Sequence, residues 1–189
     1  MKALRRVSRW LAAAFALGYF GWMWHAGQLP EYAHFNAYEA AGLLREPAES
    51  VTQVELRSPN SRYVARLAGG QWVGEAALAL ALPPAIAMQL TAAVRFMHTA
   101  APVRVLADSE FDADDLAQFG LAPAALTVTL ANASGTLLQF ELGLHNPDGI
   151  LRYLRAAGEP RIVLVSGFVG QAWDDLAAAL LVRGASGGL

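Results

Sequence analysis

Hydrophobic and polar positions change their spacing along this 189-residue chain, and each change marks a different kind of element. From Trp10 to Pro30 no charged residue interrupts an almost wholly apolar run. Crossing a bilayer takes about 20 apolar residues at the helical rise, so residues 8–27 are just long enough, and 10–27 are predicted to form a transmembrane anchor. Tyr19, Trp22 and Trp24 suit an aromatic belt at the far interface. A cleavable signal peptide has the same basic-then-apolar layout, but its cleavage site needs small residues where Trp22, Met23 and Trp24 stand. The run therefore reads as retained.

Residues 28–50 read as a juxtamembrane stalk carrying Tyr32, Phe35 and Tyr38. Asn36, with Glu39 three positions later, resembles a helix-starting pair, predicting a short helix over 37–45 that stops before Pro47. At Val51 the pattern turns to strict alternation: Thr52, Val54 and Leu56 share one face, while Gln53, Glu55 and Arg57 share the other. That is a half-buried strand. With 62–67, the Gly69-Gly70 turn and 71–73, it predicts a three-stranded meander in which Trp72 anchors the core.

Pro83-Pro84 then opens a helix to about Ala100, with Ile86, Leu90, Val94 and Met97 on one stripe. Thr91, Arg95 and His98 fall on the opposite face, which predicts a solvated His98. A short strand over 103–106 and a short acidic-capped helix ending near Gly120 follow. Leu126, Val128 and Leu130 alternate with threonines and pair with 136–142 as a hairpin. Residues 151–155 and 161–165 form a further strand pair, and the unbroken Ile-Val-Leu-Val run of the latter predicts a strand covered on both faces. Val169, Trp173, Leu176 and Leu180 make a C-terminal helical stripe, and 184–189 read as a flexible tail. The fold class is α+β: antiparallel β meanders, as two sheets or one continuous mixed sheet, with two main helices and a short linker helix over 51–183.

Charge fixes the expected orientation. Lys2, Arg5, Arg6 and Arg9 make residues 1–9 a basic head of charge +4, leaving 10 basic against 16 acidic groups in everything after it. The positive-inside rule keeps that head in the cytoplasm, so in a bacterium the domain lies on the periplasmic side of the inner membrane. With 55% hydrophobic and 16% charged residues, neither a disordered chain nor a nucleic-acid binder fits. No cysteine is present, which excludes thiol catalysis, disulfides and thiolate-held metals.

Candidate chemistry is sparse. Asp108, Glu110, Asp112 and Asp114 have the alternate spacing of a calcium loop, but Ala113 and Phe119 occupy its glycine and closing-glutamate positions. Asp112 with Asp115 suits a helix N-terminus instead. His25, His34, His98 and His145 share no ligand spacing, and only an assembly of His34, His145 and a carboxylate in three dimensions would make a metal site. Ser166-Gly167 between a strand and a helix lacks the flanking glycines of a nucleophile elbow. No catalytic residue, cofactor site or metal site is assigned.

The order of several elements resembles a known family. Gly70-Gln71-Trp72, the Pro83-Pro84 helix start, Phe119-Gly120-Leu121 with Pro123, Leu142-Gly143, Arg152-Tyr153-Leu154 and the strand Arg161 to Val165 resemble domain-of-unknown-function family 4340. The resemblance implies an exported, membrane-anchored accessory protein, of a kind encoded beside gliding-motility-type ABC transporters, and implies no catalytic residue.

The resulting expectation is a noncatalytic single-pass inner-membrane subunit that scaffolds partner proteins of a membrane complex. Integral membrane or periplasmic subunits and the lipid bilayer are its partners, without nucleic acid. Trp22, Trp24, Tyr32, Phe35 and Tyr38 are the candidate partner-binding residues. The alternative is an accessory subunit or metal-handling assembly factor for an exported enzyme.

Overall fold

A computed structural model describes residues 14–25, 42–75, 80–107, 109–112 and 114–186. The chain divides into two compact units, Met1–Glu39 and Ala40–Leu189. In the first, α1 covers residues 14–25 with all its side chains exposed. Among the described residues no helix is long and apolar enough to cross a membrane. Residues 10–13, 26 and 27 of the expected anchor lie outside those described.

The second unit is built on one sheet. Its strands are β1 (Gln53–Arg57), β2 (Arg62–Ala68), β3 (Gln71–Gly74), β4 (Arg104–Val105), β5 (Leu126–Asn132), β6 (Gly135–His145), β7 (Leu151–Ala156) and β8 (Ile162–Ser166). They lie in the order β3-β2-β1-β5-β6-β7-β8-β4. Every pairing is antiparallel. The alternatives of two sheets or a mixed sheet therefore resolve to one antiparallel sheet. Its seam is β1 against β5, with Val54 opposite Leu130 and Leu56 opposite Val128. From that seam one meander runs outward each way, and each is followed by a helix: α2 (Pro84–Thr99) and α3 (Gly167–Ser186).

The alternation in sequence decides which face each helix covers. Val54, Leu56, Leu126, Val128, Leu130, Phe140, Leu142 and Leu154 point to one face and bury against Val169, Trp173, Leu176 and Leu180 of α3 and Leu90, Val94 and Met97 of α2. Trp173 meets Phe140 edge to face at 5.6 Å. β8 is covered on both faces, as its unbroken apolar run requires. Val163 and Val165 join the main core, whereas Ile162 and Leu164 join a second cluster with Leu106, Leu121, Phe111 and Phe119 on the opposite side. The linker between α2 and β5 makes that second cover. Among its described residues it contains a 3-10 turn, Asp114–Leu116, in place of the predicted short helix.

Three further expectations need correction. The predicted helix over 37–45 is absent from 42–45, and 37–41 lie outside the described residues. Instead Gly42 N–H donates to His98 O (3.0 Å), Leu44 N–H donates to Met97 O (2.8 Å), and Leu44 is buried in the main core. These bonds satisfy carbonyls that the end of α2 would otherwise leave open, a stronger demand than the local preference of 42–45 for helix. His98, expected in solvent, is half-buried with Nδ1 3.0 Å from Leu44 O. Finally, α3 continues to Ser186, through the start of the expected tail.

Candidate functional site

A wide hollow lies where α2 passes the β3 edge of the sheet. Gly69 and Gly70, at φ 58° and 79°, supply the two left-handed residues a tight hairpin needs, and so bring Leu67 opposite Trp72. Both side chains lie on the helix-bearing face. The chain then returns alongside β3: Gly74 N–H donates to Leu80 O (3.0 Å) and Leu82 N–H to Trp72 O (2.8 Å). Pro83 and Pro84 turn it into α2, proline being favoured where the first N–H of a helix has no partner.

Helix α2 is held over this edge by its small side chains. Trp72 Nε1–H donates to Thr91 Oγ1 (3.1 Å), and the Thr91 hydroxyl donates to Ala87 O (2.9 Å). Since Leu90, Val94 and Met97 turn inward, the wall left facing the sheet edge carries Ala87, Thr91 and Ala92, too small to close the gap. The result is an apolar groove of about 930 Å³, floored by Trp72 and Val51 and flanked by Leu67, Leu82 and Met88. Such a volume is in the range that receives a ligand or a few anchoring side chains. Gln71, Glu49 and Arg95 stand at its margin.

A second, shallower hollow of about 490 Å³ lies beside Gly158, Glu159 and Pro160, over the Arg155–Glu141 ion pair (2.6 Å).

Several charged groups elsewhere are engaged in structural bonds. Arg152, on the helix face of β7, donates to both oxygens of Asp174 on α3 (2.6 and 3.2 Å), and its Nε–H donates to Gly143 O (2.5 Å). His145 Nδ1 lies 3.4 Å from the same guanidinium. On the opposite sheet face Glu55 is held by Arg62 through two bonds (2.8 and 2.9 Å) and by Arg57 (2.7 Å). Those hydrogen bonds, Arg62 foremost, pull its carboxyl down to about 2 against the opposing effect of burial. The same pairing pushes the Arg62 guanidinium up.

The acidic linker is spent in the same way. Glu110 pairs with Arg104 and accepts from Ala107 N–H, while Asp112 and Asp115 cap each other's backbone N–H (2.8 and 3.2 Å). That reciprocal pair is the helix-start arrangement expected of these two aspartates. Asp108 lies outside the described residues. Among the described residues no three His, Cys, Asp or Glu side chains form a metal-sized group. His34 lies outside them, and His145 faces an arginine.

Residues 84–183 match the family described as Domain of unknown function (DUF4340). The chain belongs to the DUF4340 family. No curated protein and no solved structure matches it. The DUF4340 region begins at the first residue of α2, so one wall of the groove lies inside it and the β2–β3 wall precedes it. Two of the motifs that carry the resemblance meet in space. Phe119 O accepts from Leu144 N–H (2.7 Å), and Gly143 passes so close beneath that carbonyl that a Cβ would collide with it. Gly120, at φ 70°, packs against Leu144. Phe-Gly-Leu and Leu-Gly are thus two halves of one packing contact on the second core, without a reactive group.

Of the candidate partner-binding residues, Trp22 and Trp24 are 65% and 75% exposed on α1. Tyr32, Phe35 and Tyr38 lie outside the described residues. Sequence reasoning overlooks the groove. Its only local signs are Met88, an apolar residue off the buried stripe, and the run of small residues around Thr91.

Proposed function

We propose that this DUF4340 protein is a noncatalytic accessory subunit of a bacterial inner-membrane complex, anchored through 10–27 with its α+β domain in the periplasm, where it binds partner proteins. An ABC transport system is the complex the family resemblance suggests. The observation that carries the reading is a contrast within the domain. The clustered charges of β1, β2, β6, β7 and α3 are engaged in holding the sheet to α3 and strand to strand, while the hollow beside α2 is an apolar groove with exposed Met88 and Leu67 at its lip. Open apolar concavities rimmed by polar groups are what recognition modules present to partners.

The test is purification of the full chain from its own membranes in mild detergent, with mass spectrometry of what co-elutes stoichiometrically. Permease and ATPase subunits support the ABC association. A redox or other envelope enzyme favours the assembly-factor role. A chain that extracts without detergent and elutes alone rejects the proposal.

A further inference from the structure

We infer that the groove between α2 and the β3 edge receives an amphipathic helix of a partner protein. The inference rests on the accessory-subunit reading and names the kind of partner surface it uses. Two occupants compete with a helix: the geometry argues against one, and the experiment separates the other.

An extended peptide would bind by adding a strand, which needs free main-chain groups along an edge. Along β3 those groups are taken, Trp72 O by Leu82 N–H and Gly74 N–H by Leu80 O. Recognition here has to come from side chains entering the apolar slot. An acyl chain would also fill an apolar slot, and a zwitterionic headgroup could meet charges of both signs, so lipid is the occupant that the cross-linking below separates from a helix. Arg95 and Glu49 both line the groove, and neither has an ion-pair partner among the described residues. A helix carrying one acidic and one basic residue beside its apolar stripe complements both.

Length agrees as well. Groove-lining residues on α2 run from Pro84 to Arg95, about 16 Å of helix. Three anchoring side chains spaced i, i+4 and i+7 or i+8 on a partner helix span about 11–12 Å and fit within that length. The small residues Ala87, Thr91 and Ala92 let that helix approach α2 closely.

The experiment places a photo-reactive benzophenone amino acid at Met88 and, separately, at Arg95 of the full chain in its native membranes. The cross-linked partner peptides are then sequenced. These positions are about 10 Å apart along α2. Adducts about seven residues apart in one partner segment are expected for a helix; a separation of about three marks an extended segment and overturns the inference. Adducts to lipid alone overturn it too.

Ala92→Trp, which fills the groove from an exposed position, is expected to reduce the Met88 adduct by at least about tenfold, the loss of one interface anchor. Arg95→Glu, a surface change that spares the fold, is expected to weaken the adduct and to be rescued by reversing the acidic residue on the partner. If partners co-purify undiminished with Ala92→Trp, the groove inference fails and the accessory reading stands. If none co-purifies with the unaltered chain, both fail.

Discussion

Arg152 on β7 grips Asp174 on α3 with two hydrogen bonds, so one charged pair ties the sheet to the helix that covers it. Gly170, one turn earlier on α3, leaves the space through which the arginine stem passes, since a Cβ there would meet Arg152 Cγ at 2.8 Å. The arginine is 10% exposed and the aspartate 33%, so the two changes that break the pair are unequal. Asp174→Ala strands a buried cation and is expected to cost about 2–3 kcal/mol, whereas Arg152→Met leaves a carboxylate that water can reach and keeps the apolar stem, costing about 1–2. Thermal melts of the two single variants and the double variant give the coupling directly. A coupling near zero would mean that the pair is incidental to the packing.

The packing of Gly143 beneath Phe119 predicts a steep response to a single methyl. Gly143→Ala must push apart β6 and the linker that forms the second core, and is expected to lose about 2–4 kcal/mol, as overpacking against rigid backbone does. Gly69→Ala, at an open turn with φ 58° and nothing near its Cβ, carries only the left-handed backbone cost of about 1 kcal/mol. Chemical denaturation of both proteins checks the contrast, and equal losses would contradict the packing account.

Most of the elements were legible in the chain because alternation and helical stripes are local. Val54 and Leu56, or Leu90, Val94 and Met97, reveal their face without knowing their neighbour. What lies opposite them is not local. The β1–β5 seam joins residues 70 to 78 positions apart, and either sheet arrangement satisfies the same alternation. The clasp at the end of α2 was illegible for a related reason: His98 looks polar on a helical wheel, but its partner is the backbone carbonyl of Leu44, 54 residues earlier. The groove was hardest of all, because it is made by the smallness of Ala87, Thr91 and Ala92 and not by any chemical signature.

That clasp is itself testable. With Nδ1–H donating to Leu44 O, His98→Ala is expected to cost about 1 kcal/mol and to raise hydrogen exchange at the Gly42 and Leu44 amides, both bonded to the end of α2. Gly42→Ala should be worse, since its Cβ would run into the Met97 and His98 carbonyls. Exchange at those amides unchanged by either substitution would show that the contact does not hold the segment down.

Glu55 predicts how stability depends on acid. Its carboxyl titrates at about 2 in the folded chain against 4.5 ordinarily, because Arg62 and Arg57 stabilise the ionised form. A lowered folded value means that the unfolded chain takes up the proton first. The contribution is therefore complete above about pH 5 and is lost as the pH falls through 4.5 towards 2. Both arginines are more than half exposed, so water screens the pair and the contribution is about 1 kcal/mol. Glu55→Gln removes the titrating group but keeps a hydrogen-bond acceptor between the two strands. Its unfolding free energy should lie below that of the unaltered chain at pH 7, and the two curves should converge as pH drops from 5 to 2.5. Parallel curves over that interval would assign the acid sensitivity to other carboxylates.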